Sequence, residues 1–137
     1  MDKIRARLAA DLRTRLTLAD SDRELGEALD RWELSLFSEE PFRSAQVREA
    51  LVCLLGSDGG TWAASMRSAV LLEEKTRERT QLLEQLRGER LTRDARDAVR
   101  RALVETLLHG NRAELLVALD DTLLGLRPRP TSVLRVA

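Results

Sequence analysis

Tyrosine is absent from this 137-residue chain, and its other aromatic rings are two tryptophans and two phenylalanines. Sites that stack nucleotides, sugars or single-stranded nucleic acid recruit ring faces, so this small supply argues against them. A lone cysteine, Cys53, excludes an internal disulfide framework and a thiolate metal cluster, and it fits a reducing compartment. Histidine also occurs once. His109 and Glu105, four residues apart on one helical face, would make only half of a metal site. No Glu-x-x-His pair or second imidazole exists to complete it, so no metal or other cofactor is expected. His109 is read instead as a last-turn cation ahead of Gly110, complementing a helix dipole.

Net charge is also lacking, since 23 basic side chains balance 23 acidic ones and leave no global field toward nucleic acid or an anionic membrane. The apolar runs are too short to span a bilayer, and the N-terminus is charged where a signal peptide needs its apolar core. The arginine-rich first segment has a mitochondrial-presequence flavour that Asp2 and Asp11 weigh against, so a cytoplasmic location is expected. Local charge is uneven. Residues 1–19 carry five basic and two acidic side chains, whereas residues 20–40 carry two arginines and eight acids. These segments are expected to lie side by side or to meet charged partners.

What the chain does have is helix punctuation. Ser21-Asp22-Arg23-Glu24 and Asn111-Arg112-Ala113-Glu114 each set a polar cap three residues before a glutamate, ahead of an apolar run. Gly56, Gly88, Gly110 and Gly125 follow leucine-rich stretches, where a left-handed glycine can end a helix. Hydrophobic residues at 43% and charged residues at 34% are too apolar for disorder and fit a leucine-built helical protein. Fold class is therefore all-α, a compact bundle of five or six helices. Residues 1–126 read as a single domain, and residues 127–137, opened by Arg127-Pro128-Arg129-Pro130, as an extended tail.

Helical spacing predicts a first helix over residues 2–18 and a second over 22–37, the latter placing Leu25, Ala28, Leu29, Trp32 and Leu36 on one face and acids on the other. A third, over 44–55, is apolar almost all round and so is expected at the centre. After the flexible-looking stretch Gly56 to Gly60, with Thr61 as cap, residues 62–87 read as one unusually long fourth helix of about 39 Å. Its nine residues from Glu73 to Gln81 contain no apolar side chain. A fifth helix opens near Thr92 and runs to Leu108, and a sixth, near the centre with the third, spans 112–124.

No assembled catalytic set emerges, and the chain is not expected to be an enzyme. Cys53 among leucines is a small hydrophobe with a raised pKa, and Asp58-Gly59-Gly60-Thr61 lacks the lysine and spacing of a P-loop. The adjacent acids Asp120-Asp121 and Glu73-Glu74 diverge by about 100° on a helix and read as solvated faces. The favoured expectation is a non-enzymatic protein–protein interaction module, an adaptor or regulator, because the helices carry more apolar surface than one small bundle buries. A homodimer or another protein partner would contact Trp62, Met66, Leu72, Leu83 and Leu86, and acidic replacements at Leu83 and Leu86 would dissociate it without unfolding. Tryptophans on apolar stripes are otherwise expected as core anchors. The alternative is a DNA-associated regulator binding through arginines of the first helix or through Arg93, Arg96, Arg100 and Arg101 of the fifth. Interleaved Asp94 and Asp97 make nucleic-acid contact the less favoured reading, and no membrane partner is expected.

Overall fold

Asp22, Thr92 and Asn111 each start a helix in the computed structural model, which describes residues 22–130. Their side-chain oxygens accept from the amides of Leu25, Ala95 and Glu114, satisfying donors that a helix start leaves open. At the first of these, Asp22 supplies the capping oxygen. Gly110 at φ 80° and Gly125 at φ 77° supply left-handed stops. Past Leu124 the amide of Gly125 reaches Thr122 O and that of Leu126 reaches Asp121 O, the paired bonds of a Schellman ending. Gly56 and Gly88 are not left-handed, with φ of −77° and −63°. The expected helix over residues 2–18 lies outside the described residues.

Six α-helices follow in order among the described residues: α1 (Arg23–Leu36), α2 (Phe42–Leu51), α3 (Gly60–Leu72), α4 (Thr76–Arg87), α5 (Arg93–His109) and α6 (Arg112–Leu123). A π-helical segment, Val52–Gly56, prolongs α2, and one 3-10 turn, Ser57–Gly59, joins it to α3. The all-α expectation therefore holds. The core runs through Leu25 and Ala28 of α1, Val47 and Leu51 of α2, and Leu54 and Leu55 of the π segment. From the remaining helices come Val70, Leu71 and Leu72, Leu82 and Leu86, Val99 and Leu103, and Leu115 and Leu119.

Three expectations need correction. The long fourth helix is two helices, because Glu73 (φ −123°, ψ 135°) and Lys75 (φ −88°, ψ 141°) are extended. A straight continuation would carry Leu82 and Leu86 beyond the body of the bundle. The break folds them back into the core, at about 1.5–3 kcal/mol for each side chain buried. Arg79 Nε donates to Glu73 O at 2.8 Å across the bend. The sixth helix is peripheral, since only Leu115 and Leu119 of α6 are buried and Val117 is 57% exposed. Thr61 is not a cap, because the 3-10 turn lets α3 begin at Gly60.

The C-terminal end of the α2–π rod is held by two arginines. Arg67 Nη1 of α3 donates to Leu55 O at 2.6 Å and Gly56 O at 3.1 Å, while its Nε and Nη2 grip Asp120 of α6 at 2.7 and 3.0 Å. Arg112 Nη1 of α6 donates to Leu54 O at 3.2 Å, and its other nitrogens reach Asp22 and Glu24 at the start of α1. Orphan carbonyls and the negative end of a helix dipole thus meet two cations, each with acidic partners of its own.

Two predictions follow from this geometry. Arg67→Met leaves carbonyls and Asp120 without their donor, and it should lower unfolding stability by about 2 kcal/mol in urea titrations. Ser57 is the non-glycine residue with positive φ among the described residues, at 46°, and Gly60 sits at φ 62° with nothing close to a Cβ. Thermal melts should therefore show Ser57→Gly stabilising and Gly60→Ala destabilising, each by about 1 kcal/mol.

Candidate interface groove

Folding α4 back on α3 brings most of the expected contact residues together. Trp62, Ser65 and Met66 of α3 face Leu83, Leu86 and Arg87 of α4 across a groove of about 370 Å³, with Thr61 at its end. Trp62 is 75% exposed, so it is not the core anchor that its apolar stripe predicted. Met66 and Leu83 are half-buried, and Leu86, at 4%, forms the floor. Leu72 is absent from the groove. It lies in the last turn of α3 and is buried in the core at 5% exposure, so the expectation of a surface contact there is corrected. The burial of Leu86 likewise overturns its assignment as a removable surface contact.

The arginines of α5 are largely engaged within the fold. Arg100 holds Asp97 through two bonds of 2.9 and 3.0 Å. Arg101 lies 3.5 Å from Asp97 and 3.8 Å from Glu73. Arg96 donates to Leu91 O at 3.1 Å and stands 4.0 Å from Glu40. Arg93 alone of the four is exposed with no ion pair. Neutralising acids therefore interrupt the phosphate-tracking stripe that the sequence offered.

Other chemistry-bearing residues serve the fold. Burial pushes the Cys53 thiol above its usual pKa, with Glu27 and Glu49 adding to the shift, which disfavours the nucleophilic thiolate. No group of three or more His, Cys, Asp or Glu side chains is placed to hold a metal among the described residues. Glu105 is buried, and the buried Nε2 of His109, one turn on, has no hydrogen-bond partner. Asp120 and Asp121, read as solvated, are tied to Arg67 and Arg127. No helix among the described residues is long and apolar enough to cross a membrane.

Sequence reasoning missed two further apolar surfaces. Leu34, Leu36, Phe37 and Phe42 are exposed around the α1–α2 turn, and Val117, Leu124 and Leu126 are exposed on and beyond α6. The signal in the first case was proximity to Pro41, which stops Leu36 and Phe37 from continuing a buried stripe.

Burial separates the groove residues by experiment. Leu86→Asp should abolish cooperative unfolding, because it buries a carboxylate in the core, whereas Trp62→Ser should leave helicity and melting temperature nearly unchanged. Circular dichroism melts of the two variants read the difference. Compared with known proteins, the chain matches no protein-family model, no curated protein and no solved structure.

Proposed function

We propose that this protein is a non-enzymatic helical interaction module, an adaptor or regulator, that self-associates through the α3–α4 groove. The observation that carries the reading is Trp62, 75% exposed on a groove that also presents Met66, Leu83 and Leu86. An indole left in water is a large unsatisfied apolar area, and tryptophan is over-represented at the energetic centres of protein interfaces. Met66 adds an adaptable side chain of the kind that moulds to a partner.

A second copy suits the face because two-fold pairing brings the apolar patch of one copy against that of the other. Arg87 is the charged residue of the lining, and the exposed acids Asp58, in the turn before α3, and Glu84, within α4, lie outside it. The apolar centre carries the affinity.

Light scattering tests this directly. The wild-type protein should show about twice the 15.4 kDa chain mass at low and high salt. Trp62→Glu should give a monomer of unchanged helicity. A wild-type monomer throughout the micromolar range, or a dimer indifferent to Trp62→Glu, would exclude the groove as the self-association face.

A further inference from the structure

A second cleft, of about 300 Å³, lies where the C-terminal half of α1 meets the start of α2 and the first turn of α5. Its lining is Trp32, Ser35, Leu36, Arg43 and Arg96, none of which lines the α3–α4 groove. The size falls at the lower end of the range typical of small-ligand pockets, about 300–1,000 Å³. Two guanidinium groups and an indole thus share one small concavity.

Both arginines are anchored by part of their donor set. Arg43 Nε donates to Ser38 O at 2.9 Å, and Arg96 Nη1 donates to Leu91 O at 3.1 Å. Among the described residues, both Nη atoms of Arg43, and Nε and Nη2 of Arg96, have no hydrogen-bond acceptor. A guanidinium tethered to a backbone carbonyl has lost much of its rotamer freedom, so its remaining donors are pre-organised for an incoming acceptor. Ser35 offers little competition, because its hydroxyl is spent on Trp32 O.

One carboxylate, Glu40, is shared among Arg43, Arg90 and Arg96. Glu40 Oε1 accepts from Ser44 Oγ at 2.9 Å, and Oε2 accepts from Ser44 N at 3.3 Å. Arg96 reaches only the outer limit of an ion pair with it, at 4.0 Å. Ser44 is itself fixed, its Oγ accepting from Leu91 N at 2.9 Å. Glu40 is therefore held as the lock between α2 and the 88–92 loop, and a single carboxylate there faces three guanidinium groups.

We propose that this cleft binds a small organic anion, a carboxylate or phosphate ester on a planar or apolar body, with Arg43 and Arg96 gripping the anionic head and Trp32 packing against the body. Guanidinium pairs bind such oxyanions through charge-assisted bonds, and the ring contributes the apolar contact that inorganic phosphate lacks. Leu36, 60% exposed, forms an apolar lip at the entrance.

The test is a titration of the uniformly ¹⁵N-labelled wild-type protein, read at its two indole N–H signals and its arginine Nε–H signals. Phenyl phosphate and benzoate should shift the Trp32 and Arg43 signals saturably, inorganic phosphate should do so at least tenfold more weakly, and benzyl alcohol should not. The Trp62 indole, near exposed Arg87, is the internal control and should stay in place. Arg43→Gln, checked for retained helicity, should weaken phenyl phosphate binding at least tenfold. Absence of saturation with both aryl anions would overturn the proposal without recourse to any variant. Equal movement of Trp62, an equal response to benzyl alcohol, or undiminished binding by folded Arg43→Gln would overturn it too.

Discussion

Two arginines closing the end of one helix hold the fold in register. The α2–π rod ends at Gly56 with its carbonyls pointing into a partly buried junction, where water cannot satisfy them freely. Arg67 and Arg112 arrive from different helices and donate to Leu54, Leu55 and Gly56, and each also carries carboxylates from a third element. The result joins the starts of α1 and α6, the middle of α3 and the end of α2 at one place. Side-chain exposures of 14% for Arg67 and 10% for Arg112 reduce solvent screening of these bonds. Acid should undo this junction from the carboxylate side. Burial alone would raise the pKa of Asp22, but bonds from Leu25 N and Arg112 outweigh it and hold the carboxyl below its ordinary value of 3.8. Because the folded-state pKa is depressed, this stabilisation is complete above the unfolded value and is lost as pH falls below it through the folded one.

With the rod fixed, the bend after α3 determines what the surface offers. Leu72 closes α3 into the core, the extended residues Glu73 and Lys75 turn the chain, and Leu82 and Leu86 return to the same core. The antiparallel pair so formed cannot bury both of its edges. Trp62, Met66 and Leu83 are left along one seam, where a foreign side chain can enter. Exposed apolar surface is here a by-product of how a helix hairpin satisfies its core.

Much of this was legible in the chain. The caps at Thr92 and Asn111 and the stops at Gly110 and Gly125 are local signals that tertiary structure left intact, whereas α1 is capped by Asp22, one residue after the Ser21 that the spacing to Glu24 offers. The apolar stripe of residues 62–86 holds Trp62, Met66, Leu83 and Leu86, which line the groove, together with Leu72, which does not, because periodicity cannot tell a continuous stripe from one folded back on itself. The all-polar stretch Glu73 to Gln81 is the trace of the bend, and in sequence it fits equally a helix that projects beyond the bundle or one that crosses between two packed ends. Pairings over 50 or more residues were out of reach. Arg67 with Asp120 and Arg112 with Asp22 have no sequence spacing to reveal them, and the Trp32 cleft depends on Arg43 and Arg96, which lie 53 positions apart.

If a second copy covers Trp62, as proposed, the indole itself reports it. In a Trp32→Phe variant, Trp62 is the sole tryptophan of a chain without tyrosine, so its emission reports the groove alone. Its emission and acrylamide quenching are followed from nanomolar to high micromolar protein. Covering by a second copy predicts a shift to shorter wavelength and a loss of quencher access as concentration rises. An indole that stays red-shifted and fully quenchable across the range would exclude pairing through Trp62.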